Sequence, residues 1–375
     1  MLKNKKVIIV LIIILLILAA AAIVYFLWFK KEPVITIEDK PIQKLFEEKV
    51  QGIKYLNKEN KIRFLSLESS TFKEFDLNSK QLTELSKIPL YLVKSIIWSP
   101  EGKKVILKVE NNRALLSQEG YLLDNSAPDG TITTWLFDLS SERLTELPLE
   151  IVGIDWLSED KIIYYYSRAS INPEIDPGQA GSSLSESDPD GSNYQKIMDL
   201  DESKLYNSQV ILSPNKNMAI LNPETEGIGK NNIYLVDLKT KKIKDINEGE
   251  LTIAGSWSTK EDNIFLYQAD KDDPGSQLHN IWSANKEGIN KKNLQLKTAY
   301  PLVITDKDDK FIYLASTYNN NQAIYQVNSG SLEKKIIADT DKEPWLNKIT
   351  EIGLLNDGIF VVADGKIYSI ALTTS

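Results

Sequence analysis

Ser95-Ile96-Ile97-Trp98-Ser99-Pro100-Glu101-Gly102-Lys103-Lys104-Val105-Ile106-Leu107-Lys108-Val109 reads as strand, tight turn, strand. Two apolar runs flank a Ser-Pro-x-Gly turn, in which proline presets φ and glycine supplies a left-handed residue. The same element recurs along the chain. Its first strand returns at Gly52–Asn57, Gly153–Ser158, Ile211–Pro214, Gly255–Ser258, Val303–Asp306 and Gly353–Asn356. A β-rich run follows each one, such as Ile162-Ile163-Tyr164-Tyr165 and Ile264-Phe265-Leu266-Tyr267.

A third strand has its own register. Trp135, Tyr234, Trp282 and Tyr325 each precede an Asp or Asn by three residues, at Asp138, Asp237, Asn285 and Asn328, where a hairpin turn should begin. Arg143–Leu147 and Lys242–Ile246 are examples of a fourth strand. Four strands repeating every 45–58 residues are the mark of a β-propeller. The last unit has only three strands before Ser375, and Ile42–Phe46 has the character of the missing fourth. The expected fold is therefore an all-β propeller over 41–375, sealed by its N-terminal strand. Seven blades fit best; six or eight are the alternatives because the third repeat is irregular.

Val7 to Phe29 is apolar and uncharged, long enough for a helix to cross the ~30 Å hydrocarbon layer. Tyr25 and Trp28 suit its interfacial end. A signal peptide's apolar region is shorter and stops near its cleavage site. The expectation is thus an uncleaved transmembrane signal-anchor at 7–29, with a cleaved peptide the competing reading. Residues 1–6 would be cytoplasmic, 30–40 a linker, and the propeller extracytoplasmic, because Lys3, Lys5 and Lys6 slightly outweigh Lys30 and Lys31.

The absence of cysteine rules out disulfides and thiolate metal sites, and with His279 as the single histidine no multi-histidine motif exists. An extracytoplasmic chain without disulfides points to a bacterial cell membrane. Residues 1–32 carry five lysines against Glu32, a balance of +4, so the rest of the net −8 is −12. An acidic body lacks the basic footprint that nucleic acid requires.

Trp98-Ser-Pro-Glu-Gly-Lys and Asp188-Pro-Asp-Gly-Ser-Asn resemble the signatures of TolB-like, WD40-like (PD40-type) propellers. The chain is also similar to the N-terminal propeller of dipeptidyl-peptidase IV and prolyl-oligopeptidase enzymes. That resemblance implies fold more than activity. The hydrolase domain of those peptidases has no counterpart, and GxSxG does not occur.

Long insertions at about 110–131, 168–191, 222–231 and 269–280 fall mostly between second and third strands, which would gather them on one rim. Acidic residues crowd them: Glu174, Asp176, Asp188, Asp190, Glu224, Glu226, Asp270, Asp272 and Asp273. This rim is the candidate binding surface, with disorder the competing reading of 168–191. Asp188–Asn193 resembles half a calcium loop, but a type I turn with left-handed Gly191 accounts for it without a metal. Trp98, Trp156 and Trp257 occupy equivalent positions and are expected to pack between blades. No nucleophile, base and metal set emerges, and no cofactor is implied. The resulting expectation is a non-catalytic binding or scaffold module for a protein, peptide or cell-wall glycan. A lyase or glycosidase with carboxylates in the central channel is the alternative.

Overall fold

The computed structural model describes residues 36–37, 41–111, 131–167, 181–201, 205, 208–222, 232–246, 252–269, 278–299, 302–318, 321–346 and 348–372. The transmembrane segment expected at 7–29 lies outside them. Among the described residues no helix is long and apolar enough to cross a membrane.

Seven antiparallel sheets follow one another along the chain. Blade 1 runs Val50–Leu56, Lys61–Ser66, Phe72–Asp76, Leu82–Glu84, and blade 2 runs Val93–Trp98, Lys104–Glu110, Ile132–Asp138, Arg143–Glu146. Blade 3 is Ile151–Ser158, Lys161–Ser167, Ser182–Ser187, Gln195–Leu200, and blade 4 is Gln209–Leu212, Met218–Asn222, Tyr234–Asp237, Lys242–Asp245. Blade 5 is Thr252–Trp257, Asn263–Ala269, His279–Asn285, Lys292–Thr298, and blade 6 is Val303–Thr305, Phe311–Tyr318, Asn321–Asn328, Lys334–Asp339. Blade 7 takes Ile349–Leu354, Gly358–Ala363 and Lys366–Ala371 from the C-terminal end. Its outer strand is Ile42–Lys44, which pairs antiparallel with the last strand, Gln43 opposite Ser369. The two ends of the propeller thus share one sheet, as the three-strand final repeat required.

Within the stretch read as linker, Thr36–Ile37 adds a parallel fifth strand to blade 6, opposite Lys335 and Ile336. The N-terminal stretch therefore contributes an outer strand to blade 6 and, at Ile42–Lys44, another to blade 7.

Among the described residues the buried apolar side chains form seven clusters, each shared between two neighbouring blades. One joins Leu65 and Phe72 of blade 1 to Trp98 and Val105 of blade 2. Another closes the ring, packing Phe360 and Val362 of blade 7 on Ile62 and Phe64 of blade 1. A blade is therefore covered on both faces, which is why its second strand reads as a continuous apolar run and not an alternating one. Tyr164 and Tyr165 are both buried for this reason, while Tyr166 packs against Tyr194.

The tryptophans fix blade to blade. The indole Nε1–H of Trp98 donates to the Gly52 carbonyl at 2.7 Å, that of Trp156 to Ile97 at 3.0 Å, and that of Trp257 to Ile211 at 3.1 Å. Each reaches the inner strand of the preceding blade, satisfying a polar handle that burial would otherwise leave costly.

The serine of the organising turn works at two levels. Ser99 Oγ accepts the Lys104 N–H and closes its own hairpin, as Ser213 does for Met218 and Ser258 for Asn263. Ser99 Oγ also donates to Glu159 of blade 3, and Ser258 Oγ to Asp309 of blade 6. The fourth turn residue is left-handed at Gly102, Lys216, Glu261 and Asp309. Only the first is glycine; Glu261 and Asp309 accept the strain of that conformation and use their carboxylates to bind the previous blade's turn.

The third-strand Asp or Asn starts its hairpin as the spacing predicts. Asp138 Oδ1 accepts the N–H groups of Ser140 and Ser141, and Asp237 Oδ1 those of Lys239 and Thr240.

Candidate functional site

The seven innermost strands surround an axial channel, and two carboxylates stand on them. Glu351, on blade 7, accepts the N–H of Gly52 at Oε1 (2.7 Å) and that of Ile53 at Oε2 (2.8 Å). Gly52 is left-handed (φ 65°) at a bulge in the blade 1 strand, so two successive N–H groups form a small anion nest. A Cβ on Gly52 would meet the Ile96 side chain at 2.5 Å, so that close approach requires glycine as well. Burial raises the Glu351 carboxyl above its usual range, against the opposing pull of the two N–H donors.

Asp155, on blade 3, accepts the N–H of its neighbour Trp156 (2.7 Å) and, across the blade boundary, that of Leu212 (2.8 Å). Burial raises it too, while Lys216 and Lys54 favour its charged form. The Lys54 ammonium is held below its usual range, first by burial and then by Lys216, with Glu159 and Asp155 opposing. Blades 1, 3 and 4 therefore face one another electrostatically across the channel. Both side chains are half-exposed by area, yet the surrounding wall keeps them from bulk water, so desolvation dominates.

At the channel mouth on the side of the second-to-third-strand connections, blades 7, 1 and 2 enclose a cleft of about 650 Å³. Lys49, Lys94 and Lys348 stand on its rim, all exposed. Lys94 pairs with Glu110 at 2.5 Å; among the described residues Lys49 and Lys348 have no ion pair. A second cavity, also about 650 Å³, lies between blades 5 and 6 at the opposite end, walled by Asn285, Asn290, Asp309 and Ser329 among others.

The candidate acidic rim stands differently from expectation. Glu174 and Asp176, Glu224 and Glu226, and Asp270, Asp272 and Asp273 lie outside the described residues. Asp188 and Asp190 are described, and they are not on that rim. They form the turn between Ser182–Ser187 and Gln195–Leu200, at the end of the blade opposite the long connections. Ser182–Ser187 is a buried third strand, correcting the disorder alternative for that part of 168–191. Its serines satisfy themselves: Ser182 Oγ donates to the Leu200 carbonyl, and Ser183 pairs with Ser185.

Both turn acids are occupied. Asp188 takes Lys161 at 2.8 Å and Asn193 Nδ2 at 2.5 Å, while Asp190 Oδ1 accepts the N–H and Oγ–H of Ser192. The Lys161 bond holds the Asp188 carboxyl below its usual range, and the Ser192 bonds do the same for Asp190. Gly191 is left-handed at φ 84°, which is the type I turn reading. Among the described residues no three His, Cys, Asp or Glu side chains converge to hold a metal ion. His279 opens the third strand of blade 5 with its Nδ1 buried and unbonded, and burial lowers its pKa.

Spacing could not reveal the channel carboxylates. Their one signal is a lone acid inside an otherwise apolar inner strand, at Gly153-Ile-Asp-Trp156 and Thr350-Glu-Ile-Gly353.

No protein-family model matches the sequence, and no curated protein matches it. Solved structures do resemble it in shape. An oligogalacturonate lyase from Vibrio parahaemolyticus superposes with a TM-score of 0.60 at 12% identity, covering 91% of this chain and 96% of that one. A prolyl endopeptidase gives 0.55 at 11% identity, over 88% of this chain and 51% of that one. TolB from Acinetobacter baumannii gives 0.44 at 12% identity, over 70% and 58%, too loose to carry an argument. At these identities the likeness establishes the propeller fold and nothing about activity.

Proposed function

We propose that this chain is a binding module: a propeller, tethered to a bacterial cell membrane by 7–29 and held outside the cytoplasm, that engages a protein or peptide partner. The contact face is the one bearing the long connections. One observation carries this reading. The connections after Glu110, Ser167, Asn222 and Ala269 all leave from the end of the disc that also holds the cleft between blades 7, 1 and 2. Long connections and clefts carried by a rigid scaffold are where recognition concentrates.

The test is crosslinking of the full chain in its own membrane, comparing wild type with a variant in which 223–231 is shortened to a tight turn. Loss of a captured partner with unchanged thermal stability is the expected result. Identical capture by both would leave only a structural spacer. Protease access to the propeller in intact cells tests its side of the membrane.

A second reading, a channel enzyme, draws on Asp155 and Glu351, whose raised carboxyls suit acid–base work, and on a fold shared with a lyase. Against it, both oxygens of each carboxylate already accept a backbone N–H, the mark of a structural acid. Turnover of oligogalacturonate, followed by the ultraviolet absorbance of an unsaturated product and abolished by Glu351→Gln, would reverse that preference.

A further inference from the structure

The mouth between blades 7, 1 and 2 has a chemistry that narrows the partner, and this step rests on the binding-module reading. The body outside residues 1–32 carries a net −12, yet this one cleft gathers Lys49, Lys94 and Lys348. The three come from different blades: Lys49 enters the blade 1 inner strand, Lys94 lies on that of blade 2, and Lys348 leads into that of blade 7. The acids nearby do not cancel them all. Glu351 is turned onto the N–H groups of Gly52 and Ile53, Glu110 holds Lys94, and Glu68 accepts the backbone N–H of Lys49. Asp364 is the remaining acid of the lining.

Between the lysines the wall is mixed, with aliphatic side chains set beside Gln51, Ser95 and Thr350. Ile53, Ile96 and Leu67 contribute to it, and Leu67 is 48% exposed. Among the described residues no aromatic ring lines the cleft, so these residues give a sugar ring no flat face to stack on. The Gly52 and Ile53 N–H groups are taken by Glu351 and the Gly52 carbonyl by the Trp98 indole, so the cleft offers a ligand its side chains at this strand and not free backbone.

We propose that this cleft binds an extended acidic peptide segment that alternates carboxylates with apolar side chains. Lysine ammonium groups on the rim take the carboxylates, and the aliphatic side chains of the wall take the apolar residues between them. Point charges on flexible stems suit a run of carboxylates whose spacing varies. Attraction to a basic mouth in an acidic body also disfavours wrongly oriented encounters.

The probe is a fluorescein-labelled peptide of alternating Glu and Leu, about eight residues or ~26 Å when extended. Its binding to the full-length chain in neutral detergent is read by anisotropy. Lys49→Glu/Lys348→Glu should weaken binding on the order of tenfold or more, and the wild-type affinity should fall with salt. Lys49→Arg/Lys348→Arg should retain binding. Lys239→Glu, on the opposite end of blade 4, should leave it unchanged. All three substituted lysines are exposed, so folding is spared.

Equal binding by the charge-reversed variant overturns the proposal. So does tighter binding of polygalacturonate than of the peptide, which would make the cleft a glycan site, or full competition by inorganic phosphate at equal charge concentration. If crosslinking captures a partner that the charge reversal does not affect, this inference fails and the binding module stands. If no partner is captured, the broader reading fails first.

Discussion

Removing one carboxylate between two blades should show how the ring is held. Asp309 of blade 6 is 8% exposed. It accepts Ser258 Oγ at 2.6 Å and Thr305 Oγ1 at 2.5 Å, with the Lys260 N–H more distant at 3.3 Å. Hydrogen bonds to a charged group contribute roughly 1.5–3 kcal/mol each. Two short ones give Asp309→Ala an expected loss of about 3 kcal/mol, once part of that gain is offset by no longer desolvating a carboxylate. Ser258→Ala removes the donor and also strips the Asn263 N–H of its acceptor, so it should cost about 1–3 kcal/mol alone. The two effects share one bond and cannot add. A double-mutant cycle by urea denaturation should return a coupling of about 1.5–3 kcal/mol. A coupling below about 0.5 kcal/mol, the level at which independent sites add, would refute the carboxylate bracket. The Ser-x-x-x turn would then be a purely local hairpin device.

Three other outcomes are expected. Glu351 has a raised carboxyl, so its contribution to stability is complete below the ordinary Glu value of 4.5 and is lost as pH rises through the folded value. Glu351→Gln should flatten that part of the stability–pH curve, and an unchanged slope would mean that the carboxyl is not desolvated. Trp156→Phe leaves the Ile97 carbonyl without its donor inside a core where Trp156 is 1% exposed. It should cost about 1–3 kcal/mol from the orphaned acceptor alone, read as a lowered denaturation midpoint; a variant within error of wild type would deny the indole its inter-blade role. Because the chain has no cysteine, Gln43→Cys/Ser369→Cys can form one bridge across the closing seam. Locking so long a loop should raise stability by up to about 5 kcal/mol, and failure to oxidise would argue against the closing strand pair.

The repeat was legible because its signals are local. Proline and glycine in Ser99–Gly102, and the Asp or Asn three residues after an aromatic, fix backbone angles and short-range hydrogen bonds wherever the chain is placed. The three-strand final repeat likewise implied that Ile42–Phe46 closes the ring. Blade 3 resisted because its third strand, Ser182–Ser187, is built from serines that bond to each other and to the backbone. With neither an aromatic nor an apolar alternation to mark it, the strand reads as loop, and by sequence alone Asp188 and Asp190 fall on the wrong rim.

What the sequence determined by itself is the order of strands and turns within the regular repeats, with seven blades as the best fit, since these follow from interactions within a few residues. Only the tertiary structure decided which side chains share the channel. Glu351 and Gly52 are 299 residues apart, and a single acid in an apolar strand has no periodicity by which its partner could be found. The ring brings them together because seven inter-blade cores set the radius at which inner strands meet, and that radius is a property of all the blades at once.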